Sequence, residues 1–295
     1  MKKIFLVNPY ERKYLEDSKQ SVHFNHKTIL KVLKRPLFFS KKIFHILTQI
    51  PYKIRISGEE IFVLHRGYWD TVQFGTWEPH TFKILSRFLN KEHSFIDIGA
   101  WIGAVTLYGS KIAKCCYSLE PDPQAFRELS DNVSFNDDLK SKIKLYDYCI
   151  SNKNGRIKFG NKESFGSSES SILFGDEEKS MFVESITLQK FFKENNIIDC
   201  NLIKMDIEGG ESLVIPTIKK FLIDNKKPTL YLSLHPLLFK QLEKDSKRII
   251  KVIKIYKNIY DIRGNKLELN DLFLKLLGKS FFEIIATNEE FKLDE

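Results

Sequence analysis

The residues best able to do chemistry stand at the ends of two apolar runs. Asp206 and Glu208 lie two apart at the end of Leu202–Ile207, and His235 closes Thr229–Leu234. In an extended chain, residues two apart share a face, so both carboxylates can look into one cleft. A carboxylate pair or an imidazole so placed can orient a hydroxyl or take its proton. The unperturbed imidazole, near ~6.5, suits a general base better than a carboxylate near ~4. Glu211 opens the following helical segment, where its charge complements the N-terminal dipole, and is read as structural. Asp206 with Glu208 or His235 could instead hold a divalent cation, but no metal is expected.

A second constellation lies upstream. Phe95-Ile96-Asp97-Ile98-Gly99-Ala100-Trp101-Ile102-Gly103 is an apolar strand ending in a glycine turn, with a second glycine where a helix starts. Such turns let a ligand approach the backbone. Glu120, 21 residues after Gly99, ends the next strand and can accept hydrogen bonds from both ribose hydroxyls of a nucleoside. The dinucleotide fingerprint Gly-x-Gly-x-x-Gly is absent, which argues against a nicotinamide oxidoreductase.

Asp97-Ile98-Gly99-Ala100-x-Ile102-Gly103 together with Leu119-Glu120-Pro121 resembles class I S-adenosylmethionine-dependent methyltransferases. Ile203-Lys204-Met205-Asp206-Ile207-Glu208-Gly209-Gly210-Glu211 narrows the resemblance to the FkbM type. The lead-in Gly67-Tyr68-Trp69-Asp70 and Phe74-Gly75-Thr76-Trp77-Glu78-Pro79 is similar as well. The resemblance implies an α/β, Rossmann-like sheet of seven strands with one antiparallel edge strand. It implies transfer of a methyl group from S-adenosylmethionine to a hydroxyl oxygen. Asp97, Gly99, Ala100, Trp101, Gly103, Glu120, Pro121 and Asp206 would hold that cofactor, with adenine around Tyr148 and Cys149. Asp206, Glu208 and His235 would be catalytic, because the implied strand order puts the two apolar runs side by side. The family usually has Asn at the position of Trp101, and an indole cannot replace both its donor and its acceptor.

From Glu78 onward, apolar runs alternate with helical patterns, as in a parallel sheet covered on both faces. Ile143–Ile150 reads as the third strand, and Asn258–Ile262 and Phe281–Ala286 as the last two. Gly155–Ser185 breaks the alternation and reads as an inserted hairpin. Its Ser/Gly-rich tip, Ser164–Ser171, is either a cover for the acceptor or a solvated, flexible loop. Trp69, Asp70, Trp77 and Glu78 either line an acceptor site or fill a subdomain core. The expected domains are a basic N-terminal helical and strand element over 1–77 and a methyltransferase domain over 78–295.

The chain carries 47 Lys and Arg against 38 Asp and Glu. The whole excess lies in residues 19–55, with nine basic residues and no acid. Over residues 27–47 a helical projection gathers Lys and Arg on one side and Ile, Leu and Phe on the other, with Pro36 dividing two short helices. That stretch either packs its apolar side inward or lies on an anionic membrane. Nucleic acid is not the expected partner, since paired carboxylates suit an approaching phosphate backbone poorly. The N-terminal apolar run stops at Asn8-Pro9, too short for a leader, and no run is long enough to span a bilayer. Cys115, Cys116, Cys149 and Cys200 lack metal-type spacing and read as free thiols of a cytoplasmic protein. The expected acceptor is a sugar hydroxyl in a cell-surface polysaccharide or its lipid-linked precursor. A macrolide-type small molecule, or an inactive binding protein of the same fold, is the alternative.

Overall fold

The computed structural model describes residues 51–64, 67–161, 164–278 and 280–292. The basic stretch 27–47 lies outside them. Strands β1 (Tyr52–Ile56) and β2 (Glu59–Val63) form a hairpin closed by Ser57 and Gly58, both at positive φ. Alternation turns Ile54, Ile56, Ile61 and Val63 inward, as a half-buried hairpin requires. Helices α1 (Gly67–Gln73) and α2 (Pro79–Phe88) follow. Trp69, Val72 and the hairpin share an apolar cluster with Phe95 and Leu85. Residues 51–64 and 67–77, the described part of the expected N-terminal element, thus belong to the unit Pro51–Glu295.

The main sheet is built from β3 (Ser94–Ile98), β4 (Cys115–Leu119), β5 (Ile143–Tyr146), β10 (Cys200–Met205), β11 (Thr229–Leu234), β12 (Asn258–Asp261) and β13 (Phe282–Thr287). Their spatial order is β5-β4-β3-β10-β11-β13-β12. The strands run parallel except β13, which is antiparallel to both neighbours. Seven strands with one antiparallel is the expected Rossmann-like count, but β13 stands one place in from the edge. Its run Glu283–Thr287 is buried throughout, so it fills the slot between β11 and the four-residue β12, which takes the edge. Strands β3 and β11 are buried along their whole length, as strands covered on both faces must be. Ile96, Ile98, Ile203 and Met205 face one core and Phe95 and Leu202 the other.

Helices α3 (Ala104–Ile112), α4 (Pro123–Ser134) and α5 (Asp137–Lys140) connect β3, β4 and β5. The expected third strand does not continue to Ile150. It breaks at Asp147 and Tyr148, because β6 (Cys149–Ile150) pairs instead with β9 (Ser180–Ile186). Strands β6, β9, β7 (Gly155–Asn161) and β8 (Ser170–Ser171) form a second, four-stranded sheet. The expected insertion is the β7–β9 hairpin at its centre. Helix α6 (Leu188–Glu194) leads to β10, and α7 (Glu211–Val214) and α8 (Lys219–Asp224) lead to β11. Helices α9 (Leu242–Ile253) and α10 (Leu269–Leu277) flank β12. All four cysteines are free. Among the described residues, no helix is long and apolar enough to cross a membrane.

Candidate active site

The carboxyl ends of β3, β4, β10 and β11 open into a cavity of about 360 Å³, the usual ligand position in an open α/β sheet. Its floor is set by Gly99. At φ 80° this residue is in the left-handed region, and a Cβ there would lie 1.8 Å from the Asp206 carbonyl oxygen. Only glycine lets the loop after β3 cross so close to the end of β10. Gly99 and Ala100 both donate their N–H to the Leu119 carbonyl, at 3.0 and 3.1 Å. Trp101 N–H then reaches Glu120 Oε2 at 2.8 Å, and Asp122 N–H reaches Glu120 Oε1 at 2.8 Å. Each carboxylate oxygen keeps a lone pair for a ligand hydroxyl. Burial pushes the Glu120 carboxyl up to about 8, against the pull of those two N–H groups.

Ala100, Trp101, Pro121, Tyr148, Cys149 and Asp206 line the cavity with Gly99 and Glu120. The break between β5 and β6 exposes Tyr148 and Cys149 to it. Two residues assigned to the cofactor do not reach its wall. Asp97 is fully buried, because alternation along β3 turns it from the cleft; its Oδ2 accepts from Thr106 Oγ1 at 2.7 Å, and its Oδ1 has no partner. Gly103, at φ 101°, caps α3, where a Cβ would meet Leu129 at 2.7 Å. Both support the loop from beneath.

Trp101 itself has φ 48°. Asparagine tolerates that conformation and tryptophan does not favour it. The indole compensates through its contacts: Nε1 donates to the Gly166 carbonyl at 2.9 Å, and the ring meets Tyr68 edge-on at 4.4 Å. Gly166 belongs to the serine-rich tip of the insertion, which is docked on the cavity. Asp122 Oδ2 accepts from Gly166 N–H at 2.8 Å and from Ser170 Oγ at 2.7 Å. The other oxygen of Asp122 caps α4 through Gln124 and Ala125 N–H. One carboxylate thus starts a helix and ties the serine-rich tip to it. Asp before Pro123 carried the cap signature; nothing local pointed to the latch.

Opposite Glu120, Asp206, Glu208 and His235 converge on the same cavity. His235 Nε2 is 3.8 Å from Asp206 Oδ1 and 3.5 Å from Glu208 Oε2, and its Nδ1 is 3.3 Å from Glu211 Oε1. They do not meet as neighbours on one extended strand. Strand β10 ends at Met205, and Glu208 sits in a turn at φ 50°. Glu211 is fully buried and accepts the Ile207 N–H at 3.0 Å, which closes that turn. The surroundings of His235 favour its charged form. Burial pulls the His235 pKa down, but the Glu211 hydrogen bond and the charges of Glu211, Asp206 and Glu208 outweigh it and hold it up to about 9. At neutral pH it is an imidazolium, with both ring nitrogens donors. Glu208 is pushed up to about 7, by burial first and by Asp206 and Glu211, against the pull of His235. A carboxyl at that value is the better proton acceptor. Donor atoms of Asp206, Glu211 and His235 also lie within 4.8 Å of one another, a spacing that a cation could bridge if His235 lost its proton.

Of the upstream residues, Trp77 and Glu78 line the cavity, and so does Tyr68. Trp69 is 1% exposed and belongs to the core; Asp70 is not at the wall. Sequence reasoning missed Lys204, whose ammonium is buried in the floor 3.4 Å from Asp206 Oδ2. Inside an apolar strand it carried no signal beyond its charge. Phe281, beside His235 at a centroid distance of 5.0 Å, forms the opposite rim.

A family-wide sequence profile described as the methyltransferase FkbM domain matches residues 97–265, more than half of the chain. No curated protein matches this chain. Among solved structures, the FkbM methyltransferase of Methylobacillus flagellatus KT overlaps at 17% identity and TM-score 0.38, covering 56% of this chain and 38% of its own. The chain therefore spans well under half the length of that relative. Precorrin-6y C5,15-methyltransferase of Geobacter metallireducens GS-15 overlaps at 13% identity and TM-score 0.39, covering 74% and 89%. The fibrillarin pre-rRNA processing protein of Methanococcus jannaschii overlaps at 12% identity and TM-score 0.38, covering 81% and 83%. The profile match decides the assignment: this chain belongs to the FkbM methyltransferase family.

Proposed function

We propose that this methyltransferase moves a methyl group from S-adenosylmethionine to a hydroxyl oxygen of a sugar, in a cell-surface polysaccharide or its lipid-linked precursor. The observation that carries the reading is the convergence of Asp206, Glu208 and His235 on the cavity that Glu120 and the Gly99 turn also line. The cavity suits the donor: a glycine turn packed against the end of β10, a buried Glu120 carboxyl whose oxygens keep lone pairs, and a buried Tyr68 hydroxyl without a partner. When bound, the donor supplies a methyl group already activated on a sulfonium, so alignment of the acceptor is the protein's main task.

Glu120 would hold the ribose hydroxyls, and Tyr148 and Cys149 would flank the adenine. Glu208, with its carboxyl near neutrality, takes the acceptor's proton as the new bond forms. Asp206 orients the hydroxyl, and the His235 imidazolium keeps the two carboxylates from repelling each other. The rings of Trp77 and Phe281 and the clustered carboxylates favour a sugar, which offers an apolar face and hydroxyl donors together. The same acidic floor disfavours a phosphate backbone, so nucleic acid is not the proposed acceptor. The basic segment 19–55 would bring a cytoplasmic enzyme to the inner face of an anionic membrane, near a lipid-linked acceptor.

Labelled-methyl transfer to glycans extracted from a deletion strain tests this. Label in the glycan fraction, lost with Glu208→Gln, is the expected result. Label only in small molecules would replace the sugar reading, and no transfer at all would remove it.

A further inference from the structure

The mechanism above leaves Glu78 unused, although it reaches the cavity. Glu78 precedes α2 at φ 36° and ψ 58°, left-handed backbone that a non-glycine residue adopts at a cost, and its side chain does not cap that helix. Instead Glu78 Oε2 is 3.0 Å from Thr81 Oγ1, which is 2.6 Å from Tyr231 Oη, which is 2.6 Å from Glu283 Oε1. Two hydroxyl protons cannot serve three contacts, so a third proton resides on one of the two carboxyls. With that proton on Glu283, each group donates to the next and Glu78 faces the cavity as an anion. With the proton on Glu78, the chain runs the other way. Transfer between these states moves one proton along three hydrogen bonds and needs no change of position.

Two cations share the cavity with Glu78: Lys204, 3.4 Å from Asp206, and His235, which faces Asp206, Glu208 and Glu211. Lys204 favours the anion of Glu78, and Asp206 and Glu283 oppose it. Asp97, whose Oδ1 is buried without a partner, also acts on Lys204. Because Lys204 is shared with Asp206 and Asp97, an ionised Glu78 facing the cavity has no cation of its own among the described residues and is matched by a cationic group of a ligand. The sheet order says which part of a ligand arrives there. Glu120 ends β4, the Gly99–Trp101 turn ends β3, and Lys204 and Asp206 end β10 on the far side of β3. A ligand whose ribose sits on Glu120 and which crosses the Gly99 turn brings its opposite end to Glu78.

We infer that Glu78 anchors the α-ammonium group of the methyl donor through charge-assisted hydrogen bonds, its own proton passing through Thr81 and Tyr231 to Glu283. This rests on the reading of the cavity as an S-adenosylmethionine site. The sulfonium has no N–H to donate, so a carboxylate held in a hydrogen-bond chain is better matched to the ammonium.

Calorimetric titration of wild type and Glu78→Gln with three ligands tests it. S-adenosylmethionine and S-adenosylhomocysteine both carry the ammonium, and only the first carries the sulfonium. Methylthioadenosine carries neither. Glu78→Gln should weaken the first two alike, by roughly 10–100-fold, and leave methylthioadenosine unchanged, which also reports that the variant is folded. Unchanged affinity for S-adenosylhomocysteine overturns the inference. A loss confined to S-adenosylmethionine places the carboxylate at the sulfonium and overturns it too. An equal loss of methylthioadenosine makes Glu78 structural. If wild type binds none of the three, the donor site itself is wrong, a failure distinct from that of Glu78.

Discussion

Glu211 Oε1 lies 3.3 Å from His235 Nδ1, and that buried contact turns an expected base into a cation. In the proposed reaction the proton acceptor is Glu208, which faces the other ring nitrogen at 3.5 Å. Because Glu211 also accepts the Ile207 N–H, one side chain sets both the shape of the turn and the charge on the imidazole.

Activity should follow a bell-shaped pH profile. Its acid limb reports Glu208 losing its proton near about 7, and its alkaline limb reports His235 losing its proton near about 9. Glu208→Gln should remove the acid limb and lower kcat by roughly 10²–10⁴. A full-rate Glu208→Gln enzyme would exclude the base role.

Glu211→Gln keeps an acceptor for the Ile207 N–H and removes the charge beside His235. The alkaline limb should move down by about one unit or more, which a purely structural role would not produce. Stability gives a second check. The folded His235 value lies above the unfolded one of about 6.5, so its contribution is complete below that pH and lost as pH rises through about 9. His235→Gln should therefore lower Tm at pH 6 more than at pH 9.5, measured by calorimetry and taken as rough set points around those two values.

Trp101→Phe deletes the N–H that holds the Gly166 carbonyl while keeping an aromatic ring against Tyr68. The lid should open more often, giving faster proteolysis within 164–171 and faster release of S-adenosylhomocysteine. Asp122→Ala removes the other latch bonds and the cap of α4 together. It should show the same loosening plus a stability loss of about 1 kcal/mol from the cap alone, read by denaturant unfolding.

Gly99→Ala should be the most damaging small change. A Cβ 1.8 Å from the Asp206 carbonyl oxygen forces the loop off β10, and the left-handed backbone adds strain. A loss of about 2–5 kcal/mol is expected, with donor binding abolished. Near-normal melting in this variant would mean that the loop does not cross there.

What the sequence determined by itself is local. A glycine turn after an apolar strand, an acid ending the next strand and carboxylates ending a third follow from residue type and spacing. They point to the cleft, whereas the strand order that sets His235 beside Asp206 and Glu208 was implied by the family resemblance and is seen in the β10–β11 pairing. The strand break at Tyr148 and the inner place of β13 were not legible, because pairing partners decide them: β6 joins β9, and β12 takes the edge. Nor could spacing reveal that Asp122 holds Gly166, or that Glu78, Thr81, Tyr231 and Glu283 form one chain across more than 200 residues of sequence. Only the tertiary structure sets the charges around His235 and Glu208. A pKa depends on burial and on which charges lie within a few ångströms, and for His235 the deciding charge, Glu211, sits 24 positions earlier.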